Sequence, residues 1–198
     1  MRAWRITGRR IGPVPQDWRA RLATRLGERP RRVGAWVELA LFGALECLDA
    51  AGESALDDTA LLSLSTLHGP DVALRKSLDE AREGPPLPIG FLNSQPGQVL
   101  PALARALRWH GDGRCLTARA PHTALWLAAL RAGPGGLLIG WVDEDAPGRS
   151  DWLRLMPTEL PGSLTPAPFE ALASASVSIV AADAHTLYIA SPENDPHE

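Results

Sequence analysis

Along residues 32–51 the apolar positions lie almost all the way round a helix: Val33, Trp36, Val37, Leu39, Leu41, Phe42, Leu45 and Leu48. A helix that is apolar on most faces must be enclosed by other layers, and Gly52 is placed to end it as a left-handed cap. The short apolar runs "ALLSLSTLHG" (60–69) and "GGLLIGWVDED" (135–145) predict buried strands, the first with a glycine exit. Between them the pattern predicts a helix at 71–82, a Pro/Gly loop at "EGPPLPIGF", and a helix opened by Pro96 and running to Gly111. Pro101 falls in its first turns, where it predicts a kink. "RCLTA" (114–118) reads as a short strand, and "HTALWLAALRAG" as a helix from Pro121 to Gly133. At the N-terminal end, 4–14 reads as a strand running into a loop, and 14–32 as a polar helix or irregular arm ended by Pro30. Further strands are expected at 151–156, 176–182 and 186–190, and a disordered tail at 191–198.

Strands alternating with helices argue for a layered α/β protein, a mixed sheet covered by helices, as one domain over 1–190. The composition, 45% hydrophobic and 22% charged over 198 residues, is that of a globular chain with a sizeable core. A net charge of -3 gives no nucleic-acid footprint. The charge is uneven, though: ten arginines lie between Arg2 and Arg32 against only Asp17 and Glu28. That stretch is either a solvated face or a surface for an acidic partner. No apolar segment reads as a signal peptide or a membrane span. Two cysteines, Cys47 and Cys115, make no disulfide framework, so a reduced, cytoplasmic protein is expected.

The stretch "LSTLHGPDVALRKSLDEAREGPPLPIGFLNSQPGQ" carries a family signature. A strand ends in Ser65-Thr66-Leu67-His68-Gly69, a helix follows, then comes the loop Pro86-Leu87-Pro88-Ile89-Gly90-Phe91, and a turn from Phe91 to Gln98 opens the next helix. In order and spacing this resembles the β-ketoacyl synthase-like N-terminal family, half-length proteins of the thiolase fold. The resemblance spans roughly residues 33–143. It implies a thiolase-like half. Active ketosynthases place a nucleophilic cysteine at the start of a buried helix, where the helix dipole favours the thiolate. Laid on without gaps, that position falls on Ala120, flanked by Arg119, Pro121 and His122. Cys115 falls five residues early, inside the strand. Cys115 is therefore read as a buried strand residue, with a nucleophile in a rearranged site or a regulatory thiol as the alternatives.

The resemblance further implies that the two histidines of the C-terminal half, needed for decarboxylation, are missing, so no catalytic residue, cofactor or metal is expected. What it implies instead is a non-catalytic chain-length factor. Such a subunit pairs with an active β-ketoacyl synthase, as a heterodimer or heterotetramer, and shapes the acyl or polyene tunnel in fatty-acid, aryl-polyene or polyketide biosynthesis. Acyl carrier protein would be met only indirectly. By the same resemblance the partner and tunnel contacts are Phe91, Asn93, Ser94, Gln95, Arg119, Ala120, Pro121 and His122, with the strand "RCLTA" pairing across the interface. A half-fold of this kind predicts an exposed apolar patch or an oligomer. Two rival readings are a homodimeric module binding an acyl carrier or acyl chain, and an acyltransferase or hydrolase using His122 with an unrecognised nucleophile.

Other constellations carry less. His110 is read at a helix end, favourable to the dipole. "DEDAPGRSD" (143–151) lacks the interleaved spacing of a calcium loop and reads as a solvated turn. "GPGG" at 133–136 precedes a strand without Lys-Ser/Thr, so it is not a phosphate loop.

Overall fold

A computed structural model describes residues 2–85, 87–119, 124, 128, 131–144, 148–158, 178–181 and 186–190, with residues 2–3 and the last two segments described for the backbone alone. The strands are β1 (Arg2–Arg10), β2 (Leu61–Thr66), β3 (Gly113–Thr117), β4 (Leu137–Asp143), β5 (Arg149–Thr158), β6 (Ser178–Ala181) and β7 (Thr186–Ala190). The helices are α1 (Trp18–Leu26), α2 (Ala35–Ala51), α3 (Asp71–Glu83), α4 (Pro88–Asn93) and α5 (Val99–Leu107), the last preceded by a 3-10 turn at Pro96–Gln98.

The strands form one mixed sheet in the order β3-β2-β4-β5-β1-β7-β6. β2 runs parallel to β3 and β4, while β4–β5, β5–β1, β1–β7 and β7–β6 are antiparallel. β2 and β4 are buried along their whole length, as strands covered on both faces must be. On one face α2 and α5 close a core with Trp36, Phe42, Leu48, Leu62, Leu103 and Trp152. On the other, Trp4, Leu61, Leu137 and Leu155 pack with Ala128.

The apolar circumference of α2 has its reason in this packing. The sheet lies on one side, α1 and α5 on others, and twelve of its residues are buried. Gly43 of α2 and Gly140 of β4 both lie against the Trp152 indole, where a Cβ on either would overlap the ring. Ser150 Oγ then accepts from Trp152 Nε1 at 3.0 Å and donates to the Leu39 carbonyl at 2.8 Å, tying β5 to α2. α2 ends at left-handed Gly52, as expected.

Four expectations are corrected. The 14–32 arm is a helix, and it ends at left-handed Gly27 (φ 79°), three residues before Pro30. The Pro/Gly loop contains α4, which Pro88 opens from the first helical position, where no amide partner is needed. α5 stops at Leu107, with Arg108 in the left-handed region (φ 51°), well short of Gly111. β1 and β5 are displaced or longer than read, because their antiparallel pairing extends from Ala3↔Thr158 to Arg10↔Trp152. Of the 121–133 helix only Ala124 and Ala128 are described; both are helical and buried. The 191–198 tail lies outside the described residues.

Candidate functional site

The carboxyl ends of β2, β3 and β4 open on one side of the sheet, the side where α/β sheets bind ligands. β2 leaves at Thr66, whose carbonyl accepts from the Ala118 amide at 3.0 Å just beyond β3. The 66–69 turn is fastened by one carboxylate at the end of β4. Asp143 Oδ1 accepts from Thr66 Oγ1 (2.7 Å), the Leu67 amide (2.9 Å) and the His68 amide (3.2 Å). Thr66 Oγ1 in turn accepts from the Gly69 amide at 2.7 Å, and Gly69 is left-handed at φ 68°. The Ser-x-x-His-Gly signature is thus a turn that aims the chain into α3. Val72, in the first turn of that helix, donates its amide to Glu144 Oε2 at 3.1 Å.

Pro96 packs over Gly69, 3.5 Å from where its Cβ would stand. That contact brings the 91–98 segment to the same end of the sheet. Ser94 is buried; its hydroxyl donates to the Phe91 carbonyl at 2.7 Å, and Gln95 Nε2 donates to Ser94 Oγ at 3.3 Å. Asn93 packs on Gly34, at the entry to α2. Asn93, Ser94 and Gln95 therefore anchor α4, while Phe91 faces solvent at 54% exposure. Arg119 is exposed at the exit of β3. Ala120, Pro121 and His122 lie outside the described residues, as does Pro86.

Among the described residues β3 is an edge strand, bonded only to β2. Cys115 on it is half-buried and packs toward the α2–α5 core. Burial pushes its thiol up to about 11, and that of Cys47 up to about 12. Neither has the thiolate character that nucleophilic attack requires. His110 lies past the end of α5, not at it; its amide donates to Asp58 Oδ1 at 2.7 Å. Of "DEDAPGRSD", Asp143 is not solvated but buried in the cradle above, while residues 145–147 lie outside the described residues. Asp151 accepts from the Gly12 amide at 3.0 Å and pairs with Arg149 and Arg10. Among the described residues no group of three or more His, Cys, Asp or Glu side chains could hold a metal.

The arginine-rich stretch turns out to be occupied. Arg19 and Arg29 both pair with buried Glu38, Arg21 binds Glu46 at 2.7 and 2.8 Å, and Arg25 binds Asp49. The pairs from Arg19, Arg21 and Arg25 join α1 to α2, with the guanidinium groups lying at the surface along the seam. A groove of about 320 Å³ runs beside them, between Trp18, Ala35, Leu39 and Val72, with Glu144 and Gly148 at the β4–β5 end. No helix among the described residues is long and apolar enough to cross a membrane.

What sequence reasoning missed is Asp143 as the fastening group and α4 as a helix. The signal for the first was an acid directly after a fully apolar strand, facing the end of a parallel neighbour.

No protein-family model matches the chain, and no curated protein matches it. Solved structures do. One is a ketosynthase (ApeO) in complex with its chain length factor (ApeC) from Xenorhabdus doucetiae, matched over 80% of each chain at TM-score 0.55 and 16% identity. Another is the ishigamide ketosynthase/chain length factor, matched over 87% of this chain and 60% of that one at TM-score 0.57 and 15% identity. The chain thus covers less than two thirds of the ishigamide chain. At this identity the likeness is one of fold: the chain shares the fold of these ketosynthase and chain length factor structures.

Proposed function

We propose that the chain is a non-catalytic, ketosynthase-like subunit, a chain-length factor, forming one domain over residues 1–190. It pairs with an active β-ketoacyl synthase and shapes the tunnel that holds the growing acyl or polyene chain, in a cytoplasmic fatty-acid, aryl-polyene or polyketide-type synthesis. The observation that carries this reading is the combination of a ketosynthase-like fold with a strand cysteine packed toward the core and kept as a thiol. Covalent condensation requires a thiolate nucleophile, and Cys115 is not built as one.

The partner face comprises the β3 edge, Arg119 and α4 with Phe91 outermost; Asn93, Ser94 and Gln95 hold that helix in place from behind, and Ala120, Pro121 and His122 continue the face in sequence. An unpaired strand edge and an apolar helix are surfaces that invite a second chain. The pairing of Arg19, Arg21, Arg25 and Arg29 with α2 carboxylates weighs against an N-terminal docking site for an acidic acyl carrier.

Co-expression tests the reading. The tagged chain is produced with a ketosynthase encoded beside it, and the eluate is examined by native mass spectrometry. A one-to-one or two-to-two complex is the expected result. A chain that ignores the synthase, or that alone hydrolyses acyl thioesters, overturns the proposal.

A further inference from the structure

α3 is poorly covered for a helix with leucines on it. Its one substantial packing partner among the described elements is α4, met through Ser77 and Glu80, which crowd Gly90. Leu74 and Leu78 remain 42% and 55% exposed. At about 100° per residue, Asp71, Arg75, Asp79 and Arg82 fall within one sector of about 80°, on the side turned away from α4. Leu78 and Leu74 border that sector. Along the helix the four charges alternate in sign, and within the chain they form the pairs Asp71–Arg75 (2.7 Å) and Asp79–Arg82 (3.1 Å).

This order is its own complement when reversed. Read from either end, an acid meets an arginine: Asp71 faces Arg82, and Arg75 faces Asp79. Self-complementarity under reversal is what a two-fold, isologous contact requires of a single patch. We propose that α3 docks antiparallel on α3 of a second copy of this chain, about an axis near Ser77. Leu78 lies close to the axis, Leu74 and Leu78 of the two copies alternate along one flank, and the charges form a continuous ladder along the other. The ladder fixes register and orientation more than it adds affinity. A helix of 13 residues is about 20 Å long, so the contact is at the small end of specific interfaces and dimerises with concentration. It leaves β3 and α4 free, and so joins two chains whether or not each carries a synthase partner.

A charge-swap series tests this by sedimentation velocity from about 1 to 200 µM, a range suited to micromolar affinity. The native chain is expected to move from the mass of one chain toward that of two. Arg75→Asp/Arg82→Asp and Asp71→Arg/Asp79→Arg should each stay at one chain, and their equimolar mixture should recover two. A second reading is covalent. On mild oxidation Leu78→Cys should give a disulfide-linked dimer, alone or in complex with a synthase, whereas Val72→Cys, far from the axis, should not. A native chain that stays single, reversed chains that still dimerise, a mixture that fails to recover, or equal cross-linking at both positions overturns the proposal. None of these changes touches α4 or β3, so co-purification with a synthase reports separately on the functional reading.

Discussion

Cys115 shows how one residue's surroundings decide what its chemistry can be. It stands opposite Leu64 in the parallel β2–β3 ladder, with loss of water as the cause of its raised thiol pKa. Cys47 on α2 is raised by the same cause, desolvation first, with Arg154 nearby only partly offsetting it. A thiol whose folded pKa lies above its unfolded value favours the folded state while it is protonated. The associated stability is complete below the unfolded value near 9 and is lost as pH rises toward about 11 and 12. Two results follow. At pH 8 iodoacetamide should label neither cysteine in the native chain at a rate near that of a free thiol, and both in denaturant. The urea midpoint should hold between pH 7 and 9 and fall above it, and the fall should shrink in a Cys47→Ala/Cys115→Ala variant. Fast native labelling of Cys115 at pH 8 would count against a thiol packed into the core. The place of Cys115 in a short strand was legible from the order of elements. Its desolvation was not, since that depends on how closely the core formed with α2, a distant part of the chain, closes against it.

Among elements, those legible in the sequence are the ones whose burial repeats along the chain. α2 and β4 have apolar residues at most positions, and β2 alternates leucine with small buried hydroxyl residues, because layers lie on both sides of them. α4 escaped notice for the opposite reason: Leu87, Ile89, Phe91 and Leu92 all face outward, so no buried stripe marks it. The 66–69 turn was legible as a signature but not as a mechanism, because its fastening acid lies more than 70 residues away. That mechanism sets a test. Asp143→Ala removes the acceptor shared by two backbone amides and a buried hydroxyl, and losing a buried acceptor costs about 1–3 kcal/mol. The expected outcome is a loss of about 3 kcal/mol in urea unfolding, as an order of magnitude. Asp143→Asn keeps a carbonyl acceptor and should lose less than half as much. Equal losses in the two variants would mean that charge, not the acceptor geometry, holds the turn.

At the scale of the whole molecule, the sheet ends in β3 on one flank and β6 on the other. Among the described residues the outer edge of β3 is unpaired, and α4, which packs on α3, turns its apolar side chains outward. The exposed apolar residues Leu87, Ile89, Phe91 and Leu92 all belong to that one short element and the residue before it. Scattered leucines would need no explanation, but a cluster on one helix is a surface awaiting cover. Phe91 is the largest of them, and aromatic anchors carry a disproportionate share of interface energy, about 2 kcal/mol or more each. Its side chain contributes little to the fold, being more than half exposed. Phe91→Asp should therefore unfold at the same urea midpoint as the native chain, yet bind the co-expressed synthase at least about thirtyfold more weakly. Ile11→Asp is the control: Ile11 is similarly exposed, at 49%, but follows β1, which β2, β4 and β5 separate from β3 in the sheet, and should leave binding unchanged. Titration calorimetry of the purified chains measures both. If Phe91→Asp binds as tightly as the native chain while Ile11→Asp does not, the partner sits near β1 and the β3–α4 face is not its docking surface.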